Sequence, residues 1–412
     1  MSAHENHGEP EIRVLGTEQE LRQAMALFRT AMVGLPPGPD YPEGRMGDYL
    51  EEGRTLGAFL DGALVGTVDA TSGFLVLPGG ARVPHAGVTH IGVLPTHTRR
   101  GVVTSLVRHQ LRAAQDRGDV VASLRASEAT IYGRFGYGIA SMSTTLEVDT
   151  HRAVLHPNVT EGGPVRFAQD SEVWDLLERI YSEHATDRPG RIERTSYWWA
   201  SQRFRFSAVS GPVYVAVHGN AGAEDGFVRY RPENTGEWFG GRERTIVVSD
   251  FFAPTAESHA GLVRFLLSLD LVDRIVFDGV PADDPLPWML TDHRGARVAS
   301  VSDETWLRIL DVRRALEARS FVGAGRVRIA VTDPVFAENT AVFEISADGV
   351  STSSDPAHLE LGIAELGSLM LGGVGCHALA GAGRITVHDG AALPVADALF
   401  TWPVAPFAGT MF

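Results

Sequence analysis

Residues 88–104 read VTHIGVLPTHTRRGVVT, and they combine a predicted strand, a basic turn and a predicted helix. The apolar residues up to Val93 predict a β-strand, and the apolar spacing after Gly101 predicts a helix. The turn between them carries Arg99 and Arg100 next to the glycine. A turn of this kind presents unpaired backbone N–H groups at the positive end of a helix dipole, so it is a candidate pyrophosphate site.

The same turn also has a plainer interpretation, an ordinary helix start with solvated arginines. It is not a nucleotide P-loop, because no Gly-Lys-Ser/Thr follows. It is not a dinucleotide fingerprint either, because that motif needs three spaced glycines in a βαβ unit. What the turn does therefore depends on the fold around it.

The elements on either side predict a mixed α/β (α+β) protein with an internal repeat. The first 150 residues give the order β-α-βββ-α-β-α-β, the middle of the chain repeats it in diverged form, and an α+β pattern follows. The predicted domains are 1–150, 151–298 and 299–412. In the second copy, Ala253–Glu257 stands where the first has its basic turn, so we expect that copy to lack the anion site.

Composition excludes several classes of protein. The chain has 412 residues, a net charge of −15 and one cysteine, Cys376, which excludes an internal disulfide and a multi-cysteine metal site. The acidic balance argues against nucleic-acid binding and favours a cationic small substrate. We expect a cytoplasmic protein without a membrane partner, because there is no apolar run of about 18 residues and no signal-peptide core. We also expect no metal.

The strand order around the Arg-Arg-Gly turn resembles the GCN5-related N-acetyltransferases (GNAT), and four motifs resemble one bacterial branch, the "enhanced intracellular survival" acetyltransferases. The most specific motif is the run from Tyr132 to Gly138. The motifs are Val93-x-Pro95-Thr96-His97-x-Arg99-Arg100-Gly101, Ala126-Ser127-Glu128-x-x-Ile131-Tyr132-Gly133-Arg134-Phe135-Gly136-Tyr137-Gly138, Asp284-Pro285-Leu286-Pro287-x-x-Leu290-Thr291-Asp292 and Trp306-Leu307-Arg308-Ile309-x-x-Val312-x-x-Ala315-Leu316-Glu317-Ala318-Arg319.

This resemblance implies two tandem GNAT-like folds followed by a sterol-carrier-protein-like α+β domain, assembled as a homohexamer, a trimer of dimers. It implies an acetyl-CoA-dependent N-acetyltransferase that acts on primary amines of a cationic, aminoglycoside-like polyamine, at one or several positions. The acceptor could instead be a protein lysine. From a different class, the chain could be a non-catalytic lipid-binding or scaffold protein with relic acetyltransferase folds.

The resemblance also implies the site residues, carried over by position. Tyr132 matches the family's general acid, and Phe412 matches the residue whose main-chain carboxylate is the base. The positions that match acetyl-CoA contacts are Ile91, Gly92, Val93, Arg99, Arg100, Gly101, Val102, Val103, Thr104, Ser127 and Glu128. Thr98 departs from the superfamily, which has Gln or Arg there, so we expect weaker cofactor affinity.

The chemistry of direct acyl transfer is consistent with these roles. A primary amine with a pKa near 10 is protonated at pH 7, so a proton acceptor must lie near it. The oxyanion needs a donor, which the backbone of Ile91–Val93 could provide, and the leaving thiolate needs a proton, which Tyr132 could give. His90 and His97 flank the strand and could relay protons, although such histidines are often incidental. The pair Trp198-Trp199 is interpreted as core or interface.

Overall fold

The computed structural model describes residues 9–35, 40–168, 173–207, 209–240 and 243–411. The chain divides into two compact units, and each combines separate stretches of sequence. The first unit contains Met1–Ser141, Arg188–Ala208 and Glu304–Phe412, and the second contains Met142–Asp187 and Val209–Asp303.

The first unit contains the strand of the candidate turn. Over the described residues its larger sheet is built from β1 (Glu11–Val14), β2 (Leu56–Leu60), β3 (Ala63–Val76), β4 (Arg82–Val93), β5 (Val121–Leu124), β6 (Gly138–Ile139) and β14 (Trp306–Ile309). The strands lie in the order β1-β2-β3-β4-β5-β14-β6. All neighbours are antiparallel except β4 and β5, which are parallel.

Helices connect and cover the strands in both units. In chain order they are α1 (Glu18–Ala31), α2 (Val102–Asp116), α3 (Ala129–Tyr132), α4 (Val173–His184), α5 (Ser196–Ser207), α6 (Ala256–Leu267), α7 (Leu286–Met289), α8 (Val312–Ala318), α9 (Ile363–Leu369), α10 (Cys376–Gly381) and α11 (Ala392–Phe400). Short 3₁₀ turns occur at Met46–Asp48, Pro95–His97, Gly133–Phe135, Thr235–Glu237, His293–Gly295 and Ala337–Asn339.

Local sequence explains why the first elements form where they do. Thr17 caps α1 through a bond from the N–H of Glu20, whose side chain returns to the cap, so the predicted capping box is confirmed. Asp61 and Gly62 have positive φ, as a tight hairpin between β2 and β3 requires. Gly66 leaves room for α2, because a Cβ there would come within 2.8 Å of Val102.

The first unit also holds a smaller sheet from the C-terminal part of the chain. Among the described residues it consists of β15 (Arg326–Thr332), β16 (Ala341–Ser346), β17 (Gly349–Ser353), β18 (Leu359–Gly362) and β19 (Ile385–Val387), in the order β17-β16-β15-β18-β19. One hydrophobic cluster joins the two sheets through Leu75, Leu307, Ile329 and Leu366. Helix α9 lies so close to β6 that a Cβ on Gly138 would clash with the carbonyl of Ala364.

The second unit is built around one mixed sheet. Within the described residues its strands are β7 (Met142–Asp149), β8 (Val165–Phe167), β9 (Tyr214–His218), β10 (Gly226–Pro232), β11 (Thr245–Phe252), β12 (Arg274–Val280) and β13 (Ala296–Asp303). They lie in the order β13-β7-β12-β11-β10-β9-β8, with β11 and β12 parallel. The apolar face of α6 packs on this sheet through Leu262, Val263 and Leu266.

The sheets confirm the predicted mixed α/β class. Two strands, however, pair in a sheet other than the one formed by their neighbours in sequence. Strand β7 follows the first sheet's elements in sequence and pairs in the second sheet, while β14 pairs between β5 and β6 in the first. The ranges 1–150, 151–298 and 299–412 describe contiguous sequence, so they do not coincide with these interleaved units. They stay a prediction about how the chain divides into domains.

A buried ion pair fixes β14 to the C-terminal module. The guanidinium of Arg308 and the carboxylate of Asp333, both 0% exposed, are joined at 2.7 and 2.8 Å. Asp333 also accepts a bond from Asn339. Burial lowers the pKa of Arg308, and the charge of Asp333 opposes that shift. Removing either side chain would leave the charge of the other buried and unpaired.

Replacing Asp333 with alanine is expected to lower the free energy of unfolding by about 3–5 kcal/mol, because Arg308 then keeps a buried, unpaired charge. Urea unfolding followed by tryptophan fluorescence measures this. The matched control is Glu317→Ala, which breaks the exposed pair with Arg313 and should cost far less, because water screens an exposed ion pair. Equal losses in the two variants would contradict the account of this pair.

Candidate active site

Strands β4 and β5 separate near the middle of the first sheet. Their parallel pairing covers only His85↔Val121, Ala86↔Ala122 and Gly87↔Ser123. Strand β4 continues to Val93, and over the described residues it pairs beyond Gly87 only with β3. Its other edge therefore leaves backbone N–H and C=O groups available to a ligand. The predicted cofactor residues Ile91, Gly92 and Val93 lie on this separated part.

A β-bulge lies within the same part of β4. Thr67 pairs with Gly92, and Asp69 pairs with Thr89, so His90 and Ile91 stand opposite the single residue Val68. His90 has a φ of +50°, in the left-handed region that non-glycine residues rarely adopt. A bulge bends a strand and changes the direction of its side chains.

The basic turn follows and leads into α2. Arg99 and Gly101 have φ values of +63° and +81°, and Gly101 is the N-cap of α2 with no side-chain bond to the first turn. A Cβ on Gly101 would meet nothing within 4 Å, so the space over the helix start is open. Arg100 has a buried Nε without a hydrogen-bond partner among the described residues. Val102, Val103 and Thr104 form the first turn of α2, whose N–H groups point to that space.

The corresponding helix of the second unit begins differently. Thr255 caps α6 and accepts a hydrogen bond from the N–H of Ser258, whose side chain returns a bond to the cap. These side chains occupy donors that are open at Gly101 in α2. The contrast agrees with the expectation that only the first copy can bind a pyrophosphate at this position.

The loop after β5 holds the other predicted residues. Ser127 and Glu128 are exposed, and Tyr132 at the end of α3 is 4% exposed. Burial raises the pKa of Tyr132, and a side-chain hydrogen bond with Ser127 acts in the opposite direction. The tyrosine ring packs edge-on against Tyr137, with ring centroids 6.1 Å apart. Tyr132 is therefore protonated at neutral pH and has a proton to give.

A pocket opens in the first unit beside the separated strands. Its lining combines acidic, aromatic and small polar side chains with backbone of the C-terminal segment. The residues are Tyr49, Asp69, Thr71, Ser72, Gly73, His85, Gly87, Thr89, His90, Ile192, Glu193, Thr195, Tyr197, Trp198, Ser201, Gln202, Arg205, Thr410 and Met411. Tyr132 is not among these described lining residues.

The C-terminal segment is held at this pocket by side chains of the first unit. Glu304 accepts bonds from the N–H groups of Ala408 and Gly409 at 3.0 and 3.1 Å. Arg125, two residues before Ser127, donates to the carbonyl of Thr410 at 2.7 Å. The indole of Trp198 donates to the carbonyl of Met411 at 2.7 Å. Phe412, the predicted base, lies outside the described residues.

Several pocket residues were not predicted from the sequence. Trp198 is partly buried and lines the pocket, whereas Trp199 is buried. Asp69 and Glu193 carry the acidic charge, and Glu304 and Arg125 hold the C-terminal segment. Local sequence gave no signal for the last two, because their partners lie more than 100 residues away. An acidic residue in a run of buried strand positions could have singled out Asp69.

The residues that the structure covers offer neither a metal-binding cluster nor a membrane-spanning helix. In those residues, no group of three or more His, Cys, Asp or Glu side chains could hold a metal ion. None of the described helices is long and apolar enough to cross a membrane.

Three family models match the chain. Two are described as acetyltransferase (GNAT) domains and match residues 11–140 and 190–309, and the third, a sterol carrier protein domain, matches residues 312–409. The GNAT fold implies an acyl-CoA co-substrate.

Individual relatives are similar over most of their length. An uncharacterised N-acetyltransferase of Streptomyces avermitilis is 33% identical over 400 residues, 93% of this chain and 95% of the relative. The N-acetyltransferase Eis of Mycobacterium tuberculosis is 33% identical over 345 residues, 79% of this chain and 80% of that protein. The crystal structure of Eis1 from Mycobacterium abscessus superposes with a TM-score of 0.90 at 42% identity, covering 98% of this chain and 100% of the other.

Proposed function

The chain belongs to the Eis-type family of GCN5-related N-acetyltransferases, and we propose that it transfers the acetyl group of acetyl-CoA directly to a primary amine of a small polycationic substrate. The pocket of the first unit carries the proposal. It places two carboxylates, Asp69 and Glu193, among Tyr197 and Trp198. Carboxylates and aromatic faces attract ammonium groups.

The cofactor is proposed to bind where β4 separates from β5. Its pyrophosphate would lie at the start of α2, on the N–H groups of Val102, Val103 and Thr104, beside Arg99 and Arg100 around Gly101. Its acyl arm would run along Ile91, Gly92 and Val93, whose free backbone edge can donate to the thioester oxygen. Ser127 and Glu128 would contact it from the loop after β5.

The reaction needs one proton acceptor and one proton donor. The ammonium of the substrate first loses a proton, and its nitrogen then attacks the thioester carbon. The C–S bond breaks as the C–N bond forms, and the thiolate takes a proton. We assign the donor to Tyr132, whose buried hydroxyl is protonated at neutral pH, and the acceptor to the main-chain carboxylate of Phe412. The contact of Trp198 with Met411 at the pocket supports that acceptor.

We propose a cytoplasmic homohexamer, arranged as a trimer of dimers, and its mass in solution tests the assembly. A protein lysine is the second candidate acceptor. The scaffold alternative is set aside, because the family is one of N-acetyltransferases.

A panel assay separates the acceptor classes. Thiol release from acetyl-CoA is measured with spermidine, kanamycin and a lysine peptide at equal concentration. We expect the highest kcat/KM with kanamycin or spermidine, because the negative charge of Asp69 and Glu193 attracts a substrate with several ammonium groups. Preference for the peptide would instead support the lysine acceptor.

Deleting Phe412, or extending the chain beyond it with a tag, is expected to remove most activity while the protein still folds and binds acetyl-CoA. Both changes take the carboxylate away from the position at which the proposal needs it. Burial away from water raises the pKa of such a group above about 3.5 and makes it a better base. Thiol release and calorimetry with acetyl-CoA measure the two effects. Phe412→Leu keeps the carboxylate and serves as the control, and full turnover by the tagged protein would rule out this base.

A further inference from the structure

A histidine and a buried carboxylate meet at the bulge of β4. The Nδ1 of His90 lies 3.3 Å from an oxygen of Asp69, which is 1% exposed. The other oxygen of Asp69 accepts a bond from the hydroxyl of Thr55 at 3.0 Å. Both Asp69 and His90 line the pocket. Because a carboxylate only accepts, this contact places the proton of a neutral imidazole on Nδ1 and leaves Nε2 with its lone pair.

The backbone and a neighbouring ring hold this histidine in place. His90 has a φ of +50° at the bulged position, a conformation that costs free energy and that the surrounding sheet must impose. The ring of Phe28 on α1 packs edge-on against the imidazole, with centroids 4.9 Å apart. The imidazole side chain is 16% exposed, and His90 lines the pocket.

We infer that Asp69 and His90 form a proton acceptor for the substrate amine, a second one beside the proposed terminal carboxylate. The inference rests on the proposed amine acetylation. Asp69 fixes the tautomer of His90 and stabilises the imidazolium that forms, and Nε2 takes the proton.

The proton balance closes with the groups already assigned. The ammonium gives one proton to Nε2 of His90, and the neutral nitrogen attacks the thioester carbon. As the C–N bond forms and the C–S bond breaks, Tyr132 protonates the thiolate, and the second proton of the nitrogen restores the tyrosine. The imidazolium then releases its proton to solvent. One proton is set free for each amide and each thiol formed.

Other titratable groups of the pocket surround this pair. They are Tyr49, His85, Glu193, Tyr197 and Arg205. Burial, with a smaller contribution from Arg54, lowers the pKa of His85 to about 3, so His85 stays neutral and does not compete for the proton near pH 7. Phe28 adds no charge from α1. The carboxylate of Glu193 offers a site for an ammonium group of the substrate.

The test compares His90→Gln with wild type between pH 6.5 and 10, using kanamycin and spermidine as acceptors. We expect kcat/KM to fall about tenfold at pH 7, less than for the loss of a sole base, because the terminal carboxylate still acts. The deficit should shrink towards pH 10, where about half of the free amine is already neutral. A purely structural defect would lower the rate equally at every pH.

Three variants complete the experiment. His90→Phe keeps an aromatic ring against Phe28 and should show the same pH-dependent deficit as His90→Gln. Asp69→Asn keeps the shape and removes the charge that stabilises the imidazolium, so it should show a deficit at pH 7 like that of His90→Gln. His109→Gln, on the exposed side of α2, should behave as wild type. The KM for acetyl-CoA should stay within about twofold in all three.

The possible outcomes separate this inference from the proposed function. Suppose that the wild type turns over. If kcat/KM of His90→Gln then equals that of the wild type at pH 7, or is lowered equally at every pH, the role of His90 is overturned and the acetyltransferase proposal stands. No wild-type turnover with any amine of the panel overturns both. A deficit at pH 7 that disappears at pH 10 supports the acceptor.

Discussion

Replacing Gly101 with glutamate is expected to abolish acetyl-CoA binding and, with it, acetyl transfer. Gly101 has a φ of +81° and open space over the start of α2. A side chain there is strained, and its carboxylate would lie where the pyrophosphate is proposed to bind. Calorimetric titration should give one site per chain for wild type and no detectable binding for Gly101→Glu.

Two control variants separate the effect of the added charge from that of backbone strain, and the first helix start from the second. Gly101→Ala carries the strain without the charge, and its Cβ meets no neighbour, so it should weaken binding only partly. Thr255→Ala removes the cap of α6 in the second unit and should leave the affinity for acetyl-CoA unchanged. Two sites in the wild-type chain, or normal binding by Gly101→Glu, would contradict the assignment of the cofactor site.

Replacing Tyr132 with phenylalanine is expected to lower kcat by about 10²-fold, the usual scale for the loss of a general acid. The affinity for acetyl-CoA should hardly change, because only the hydroxyl is removed. Steady-state kinetics and calorimetry measure the two effects.

The chain offers a matched control for this variant. Tyr137 packs against Tyr132, and its buried hydroxyl has no hydrogen-bond partner among the described residues. Tyr137→Phe should therefore turn over at close to the wild-type rate. Equal losses in both variants would reduce Tyr132 to a packing residue.

The local part of the fold could be predicted from the sequence, and its long-range part could not. The strand up to Val93, the turn at Gly101 and the helix after it follow from spacing and turn residues within 20 positions. The pairing of β14 between β5 and β6 joins residues about 170 to 190 positions apart. No local pattern encodes such a partner, so the exchange of β7 and β14 between sheets was missed.

The candidate site divides in the same way. Residues of the cofactor turn could be named from the motif, because strand, turn and helix are continuous there. The amine pocket draws on β3, β4, α5 and the C-terminal segment, so its composition depends on tertiary structure. From the sequence, the adjacent Trp198 and Trp199 share one interpretation, core or interface. On α5 only Trp199 is buried, whereas Trp198 lines the pocket and bonds to Met411.

The most direct test of the account is to follow the acetyl group itself. The wild-type protein is incubated with isotopically labelled acetyl-CoA and kanamycin or spermidine, and thiol release and labelled amide are both measured by mass spectrometry. The account predicts one labelled N-acetyl group on the amine for each thiol released, and neither product above background with Gly101→Glu. Thiol release without a labelled amide, or equal amide formation by Gly101→Glu, would contradict it.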